Sequence, residues 1–117
     1  MDDTPGLNIE RMRQSAGEAV GFLRLLSHPD RLLLLCQLTD GEACVSELQE
    51  RLDIPQPSLS QQLGVLRREG LVSTRRDGKH IHYTIADPRI LRMLQTLEQL
   101  FCTPAAAPSP LPETVSR

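Results

Sequence analysis

The 117-residue sequence predicts a mostly α fold of five helices and one two-stranded β-hairpin. Three observations predict it. Apolar residues recur three and four apart in five separate stretches, the spacing of one helix face. Proline, glycine and aspartate punctuate the gaps between those stretches. Around Asp77-Gly78 the period switches to two, and Asp-Gly between alternating residues is a strong hairpin signal.

Residues 1–7 are a short, loose start, expected to be flexible. Ile9, Met12, Ala16, Ala19, Leu23 and Leu26 set the first helix, about Asn8 to Ser27. Pro29 suits the first turn of a second helix, where its missing N–H is no loss, and Asp40-Gly41 closes it after about Leu38. Val45, Leu48 and Leu52 mark a third helix of about two turns. After the turn Asp53-Ile54-Pro55-Gln56, Pro57 opens a fourth, with Leu59, Leu63 and Leu66 as its inner stripe. Gly70 after Arg67-Arg68-Glu69 is a C-cap signature. Leu71 to Arg76 and Lys79 to Ile85 are the strands, the second with Ile81, Tyr83 and Ile85 on one face. Asp87-Pro88 opens a last helix to about Cys102, with Ile90, Leu94, Leu97 and Phe101 as its stripe. Residues 8–102 thus form one domain, and the proline- and alanine-rich residues 103–117 are expected to be a flexible tail.

A net charge of −2 does not announce a nucleic-acid partner, but the distribution does. Between Arg67 and His82, five basic side chains stand against two acidic ones. A local basic patch is enough, because phosphate attraction is short-ranged in salt. The chain has no signal-peptide pattern and no apolar run of membrane-spanning length, and its three cysteines show no C-x-x-C spacing. A reducing, cytoplasmic setting without membrane contact is expected. No nucleophile–base–acid set and no Gly-rich phosphate loop points to an enzyme, and no cofactor is expected.

Two helices joined by a four-residue turn, followed by a basic hairpin, make a winged helix-turn-helix. The second of the two carries Gln56, Ser58, Ser60, Gln61 and Gln62 opposite its leucine stripe. Glutamine can contact adenine with two hydrogen bonds, and serine can contact bases or phosphates, so this helix is the candidate major-groove reader of double-stranded DNA. Arg67 and Arg68 lie farther along it. Arg75, Arg76, Lys79 and His80 at the hairpin are candidates for phosphate or minor-groove contact. The first and last helices are apolar over faces too wide for so small a domain, so a homodimer is expected, with Ile9, Met12, Ala16, Leu94, Leu97 and Phe101 at its interface.

Several runs together resemble the ArsR/SmtB family of bacterial repressors. They are Leu26-Ser27-His28-Pro29-Asp30-Arg31-Leu32, Val45-Ser46-Glu47-Leu48, Gln56-Pro57-Ser58-Leu59-Ser60-Gln61-Gln62-Leu63, Leu66-Arg67-Arg68-Glu69-Gly70-Leu71-Val72 and Arg75-Arg76-Asp77-Gly78-Lys79. The resemblance implies a winged-helix dimer that binds an imperfect palindromic operator and lets go when an inducer binds. Metal-sensing members often carry Cys-x-Cys in the helix before the turn, where this chain has Cys44-Val45-Ser46. Others bind zinc through the last helix, but residues 88–102 hold no His and Glu98 is their one acid, so no zinc set assembles. His28, His80 and His82 are read as surface or phosphate-contacting residues. Cys36, within Leu-Cys-Gln-Leu, and Cys102, within Leu-Phe-Cys, resemble the dithiol of the reactive-sulfur-responsive BigR and SqrR branch. That branch joins its cysteines by a disulfide or polysulfide bridge and releases DNA. Cys36, after four leucines, is expected to be half-buried and Cys102 accessible. Two alternatives stay open: a response to arsenic(III) or another thiophilic metal through Cys44 and other cysteines, and a winged-helix interaction module that does not read DNA.

Overall fold

In a computed structural model the structure describes residues 6–102, so the expectations for residues 1–5 and for the tail 103–117 lie outside it. Five helices and three strands follow in the order α1 (Ile9–Leu26), α2 (Pro29–Leu38), β1 (Ala43–Cys44), α3 (Val45–Leu52), α4 (Gln56–Arg68), β2 (Val72–Asp77), β3 (His80–Ile85) and α5 (Pro88–Phe101). The five helices stand as expected, with α4 beginning one residue before Pro57. The wing differs: it is a three-stranded antiparallel sheet in the order β1-β3-β2, because Ala43 and Cys44 pair with Tyr83 and His82.

Side chains cap the starts of α1, α2 and α5. The Asn8 carboxamide oxygen accepts from the Arg11 N–H at 3.0 Å, and an Asp87 carboxylate oxygen accepts from the Arg89 N–H at 2.9 Å. His28 does the same for α2, its Nδ1 accepting from the Asp30 N–H at 3.1 Å. Each bond satisfies a backbone donor that a helix start leaves unpaired. His28, read above as a surface or phosphate-contacting residue, is therefore a helix cap.

The core is almost all leucine. Leu34, Leu35, Leu48, Leu59, Leu63, Leu66 and Ile90 are fully buried, so α2, α3, α4 and α5 share one interior. Helix α1 buries Leu26 alone of its 18 residues. On α5, Leu94 is 7% exposed and belongs to this core. Its expected place at a dimer interface is thereby corrected: it completes the stripe that Ile90 begins.

Two backbone features aim the wing. After α4, Gly70 adopts a φ of +81°, which an L side chain disfavours. Its N–H donates to the Arg67 carbonyl at 3.1 Å, and the Leu71 N–H donates to the Leu66 carbonyl at 2.9 Å. This Schellman closure turns the chain directly into β2. At the tip, Asp77 pairs with His80, so the two-residue loop is Gly78-Lys79, one residue later than Asp-Gly suggested. Gly78 supplies the positive φ of +64° there, in keeping with a II′ turn.

Candidate nucleic-acid interface and thiol pair

Helix α4 presents one polar side to solvent. Gln56, Ser60, Gln61, Arg67 and Arg68 are exposed, and the Gln56 amide nitrogen donates to the Ser60 hydroxyl at 2.8 Å. That bond uses one of the two amide hydrogens. The other hydrogen and the carbonyl oxygen remain available, the pair that an adenine edge requires. A groove between the start of α3 and the wing, with Gln56 of α4 at its edge, is lined by Val45, Ser46, Gln49, Lys79, His80 and Tyr83 among others. Arg76, Lys79 and His80 are exposed at the wing tip.

Three expected contact residues are placed differently. Gln62 is the buried polar residue of the core, 7% exposed among the described residues, and its carbonyl oxygen accepts from Arg31 Nη1 at 2.9 Å. It faces α2, not the groove-reading side. Ser58 is half-buried and donates to an Asp30 carboxylate oxygen at 3.0 Å. On the wing, both Arg75 Nε and Arg75 Nη2 donate to the Glu42 carboxylate, Nε at 3.3 Å.

Ser58 and Gln62 are four apart and so lie on one face of α4. Both are held by consecutive residues of α2. Arg31 reaches further still: its Nε donates to the Leu25 carbonyl at 2.8 Å and its Nη2 to the Arg24 carbonyl at 3.3 Å. One guanidinium thus satisfies end carbonyls of α1 while gripping α4. The Asp30-Arg31 clamp fixes how the reading helix sits on α2. It escaped the sequence reading, although the four-residue spacing of Ser58 and Gln62 carries its signal.

Cys36 is exposed near the end of α2, where half-burial was expected, and Cys102 is the exposed C-cap of α5. The two sit at the ends of helices that share one core, within electrostatic reach of each other. The Cys36 thiol pKa is pushed up by desolvation first, then by the charge of Cys102 and that of Glu98. Both thiolates together are therefore disfavoured, and Cys36 keeps its proton to higher pH than a free thiol. Cys44 sits elsewhere, buried on β1 with its sulfur 3.2 Å from the Ser46 hydroxyl. Among the described residues no three His, Cys, Asp or Glu side chains gather as a metal-ligand set.

On the outer surfaces, Ile9 is 65% and Phe101 79% exposed, and Met12 and Ala16 are exposed beside Ile9 on α1. Leu97 is half-buried against the core. Among the described residues no helix is long and apolar enough to cross a membrane.

A reading helix bearing glutamine and serine, clamped from behind and flanked by a basic wing, defines a winged-helix DNA-binding protein. The model of the arsR family of bacterial regulatory proteins matches residues 28–74. The biofilm growth-associated repressor of Agrobacterium fabrum is 45% identical over 102 residues, spanning 87% of this chain and 87% of that one. The crystal structure of the transcriptional repressor BigR from Xylella fastidiosa superposes with a TM-score of 0.80 at 43% identity, covering 83% of this chain and 99% of the other. Reduced HlyU from Vibrio cholerae gives a TM-score of 0.74 at 37% identity, over 80% of this chain and 99% of its own. The chain belongs to the ArsR family: it is a DNA-binding transcriptional regulator, not an enzyme.

Two outcomes test the geometry. Gln61→Ala should weaken operator binding by about 1–3 kcal/mol with an unchanged melting temperature, whereas Gln62→Ala, which strands an Arg31 donor, should cost about 1–3 kcal/mol of stability. Anisotropy and thermal melts read both, and the reverse pattern would show that α4 offers its other face. Alkylation of Cys36 by iodoacetamide should rise through a midpoint above the roughly 8.5 of a free thiol, and Cys102→Ser should lower that midpoint. Peptide mass spectrometry across pH measures it. An unmoved midpoint would mean the sulfurs do not sense each other.

Proposed function

We propose that this regulator is a homodimeric repressor that releases its operator when reactive sulfur joins Cys36 and Cys102. The observation that carries the reading is the pair of exposed thiols at the ends of α2 and α5, two helices that share one core. Relatives named as repressors support the direction of regulation, and a relative described in a reduced form is in keeping with redox control.

The chemistry needs only the two cysteines and a persulfide. One cysteine thiolate attacks the outer sulfur of glutathione persulfide, leaving a protein persulfide and releasing glutathione thiolate. The second thiolate attacks the cysteine sulfur of that persulfide and displaces hydrosulfide. Two thiols are oxidised to one disulfide, and the transferred sulfur leaves reduced. The raised pKa of Cys36 suits it to the second step, since a thiol held protonated is the slower first attacker.

The bridge ties the end of α5 to α2, and α2 grips α4 through Asp30 and Arg31. Tension at Cys36 therefore acts on the helix that orients the reading helix. Coupling of about 1–3 kcal/mol would change operator affinity by roughly 5- to 150-fold.

Dimerisation rests on α1. Ile9, Met12, Val20 and Leu23 form an exposed apolar stripe along it, and Leu100 and Phe101 expose a second apolar patch on α5. Contiguous apolar surface of this kind marks an interface. A two-fold dimer would set two reading helices about 34 Å apart, one turn of DNA.

Fluorescence anisotropy on the DNA upstream of its own gene should show tight binding, then release on adding glutathione persulfide, with a Cys36–Cys102 crosslink by mass spectrometry. Cys102→Ser should bind as tightly and not release; normal release by that variant would sink the sulfur reading. Persulfide-insensitive binding by the unaltered protein would direct attention to thiophilic metals, beginning with Cys44. The double substitution Ile9→Lys, Met12→Lys should move the protein from dimer to monomer in sedimentation velocity, and a dimer that persists would place the interface elsewhere.

A further inference from the structure

Of the basic residues expected at DNA, Arg75 is the one already engaged. Arg67, Arg68, Arg76 and Lys79 are exposed, and no ion pair among the described residues holds them. Arg75 lies on a rung of the sheet, opposite His82, which in turn pairs with Cys44. Adjacent side chains on a rung share one face of the sheet. Glu42, two residues before Cys44, reaches back along this rung. Its carboxylate receives two donors of the Arg75 guanidinium and lies 3.8 Å from His82 Nδ1. Asp77 stands 4.0 Å from the remaining Arg75 nitrogen.

We propose that Glu42 is a positioning residue that withholds Arg75 from DNA, so that carboxylate and phosphate compete for one guanidinium. The planar fork of arginine fits a carboxylate and a phosphate in the same two-point way, so the exchange needs no new geometry. The pair is also weak enough to exchange. Its side chains are 54% and 41% exposed, and exposed ion pairs contribute about 0–1 kcal/mol. The wing thus keeps one positive charge in reserve, and non-specific attraction to DNA is held below what its basic count implies. The proposal uses only the DNA binding of the winged helix and is independent of the thiol chemistry.

The test is Glu42→Gln, alone and with Arg75→Gln, measured by anisotropy on the upstream duplex and on a random-sequence duplex across salt. Glu42→Gln should tighten binding to both duplexes about two- to fivefold. The slope of log affinity against log salt should steepen by about one phosphate contact, roughly 0.9. In the Arg75→Gln background the same substitution should change neither quantity. An equal gain in both backgrounds would reduce Glu42 to a distant negative charge and overturn the proposal. So would an unchanged affinity. Weaker binding by Glu42→Gln would overturn it as well, since Glu42 would then be presenting Arg75 to DNA. Thermal melts without DNA confirm that each variant is folded, and Glu42→Ala repeats the measurement should Gln keep a hydrogen bond to Arg75.

Discussion

The structure depends on the grip of α2 on α4. Leu34, Leu35 and Leu38 from one helix share the core with Leu59, Leu63 and Leu66 from the other, and all but Leu38 are fully buried. Burying a leucine contributes about 1.5–3 kcal/mol, so this packing supplies much of the stability of a small domain. Leucine packing, however, is tolerant of small rotations and slides. Directional bonds restrict what packing leaves free. Ser58–Asp30 and Gln62–Arg31 pin α4 at two points one turn apart, which fixes both its roll and its depth. A buried amide bonded to a guanidinium is costly to strand, so α4 cannot turn away without leaving a donor unpaired. The exposed face of Gln56, Ser60 and Gln61 is aimed from behind.

How much of this was legible in the sequence depends on the range of each signal. The five helices announce themselves through local periodicity and proline placement, and the hairpin through Asp77-Gly78. The third strand carries no such signal, since two residues cannot display a period of two, and it exists because β3 offers an edge. Gln62 is more instructive. It follows Leu59 by three and precedes Leu66 by four, so helical arithmetic alone assigns it to the buried stripe. Its polarity argued for the outer face, and the partner that makes burial affordable, Arg31, lies 31 residues away. Leu94 shows the opposite error: a correct apolar stripe assigned to a partner when its own domain needed it. Within α4, the sequence distinguishes Gln61 from Gln62 only when spacing is weighed above residue type. The pairing of Arg75 with Glu42 spans 33 positions and has no local signature at all.

Helix α2 joins the two halves of the molecule. Its first turn carries the clamp on α4, its middle carries core leucines, and its last turn carries the exposed Cys36. Ten residues of α-helix span about 15 Å and bend little. The two ends of α2 are therefore mechanically coupled as one rigid rod, with no chain of intermediate contacts required. The same helix also receives α1, because Arg31 donates to the carbonyls of Arg24 and Leu25. The helix that carries the exposed apolar stripe, the helix that carries the reading face and the helix that carries the thiol are thus bonded through one guanidinium.

This arrangement explains why the charged groups are divided as they are. Arg31, inside the clamp, has several acceptors and a structural duty, whereas the basic residues of α4 and the wing tip are unpaired among the described residues and face solvent. Arg75 stands between these groups, paired but exposed. A DNA reader must balance long-range attraction, which any duplex satisfies, against contacts that one sequence satisfies. Under the proposal made for Glu42, holding an arginine on an exposed carboxylate would lower the first without touching the second. If Gln56, Ser60 and Gln61 read the bases, their rigid placement is what sequence selection would rest on, and a change in that placement would be felt most strongly where non-specific attraction is least.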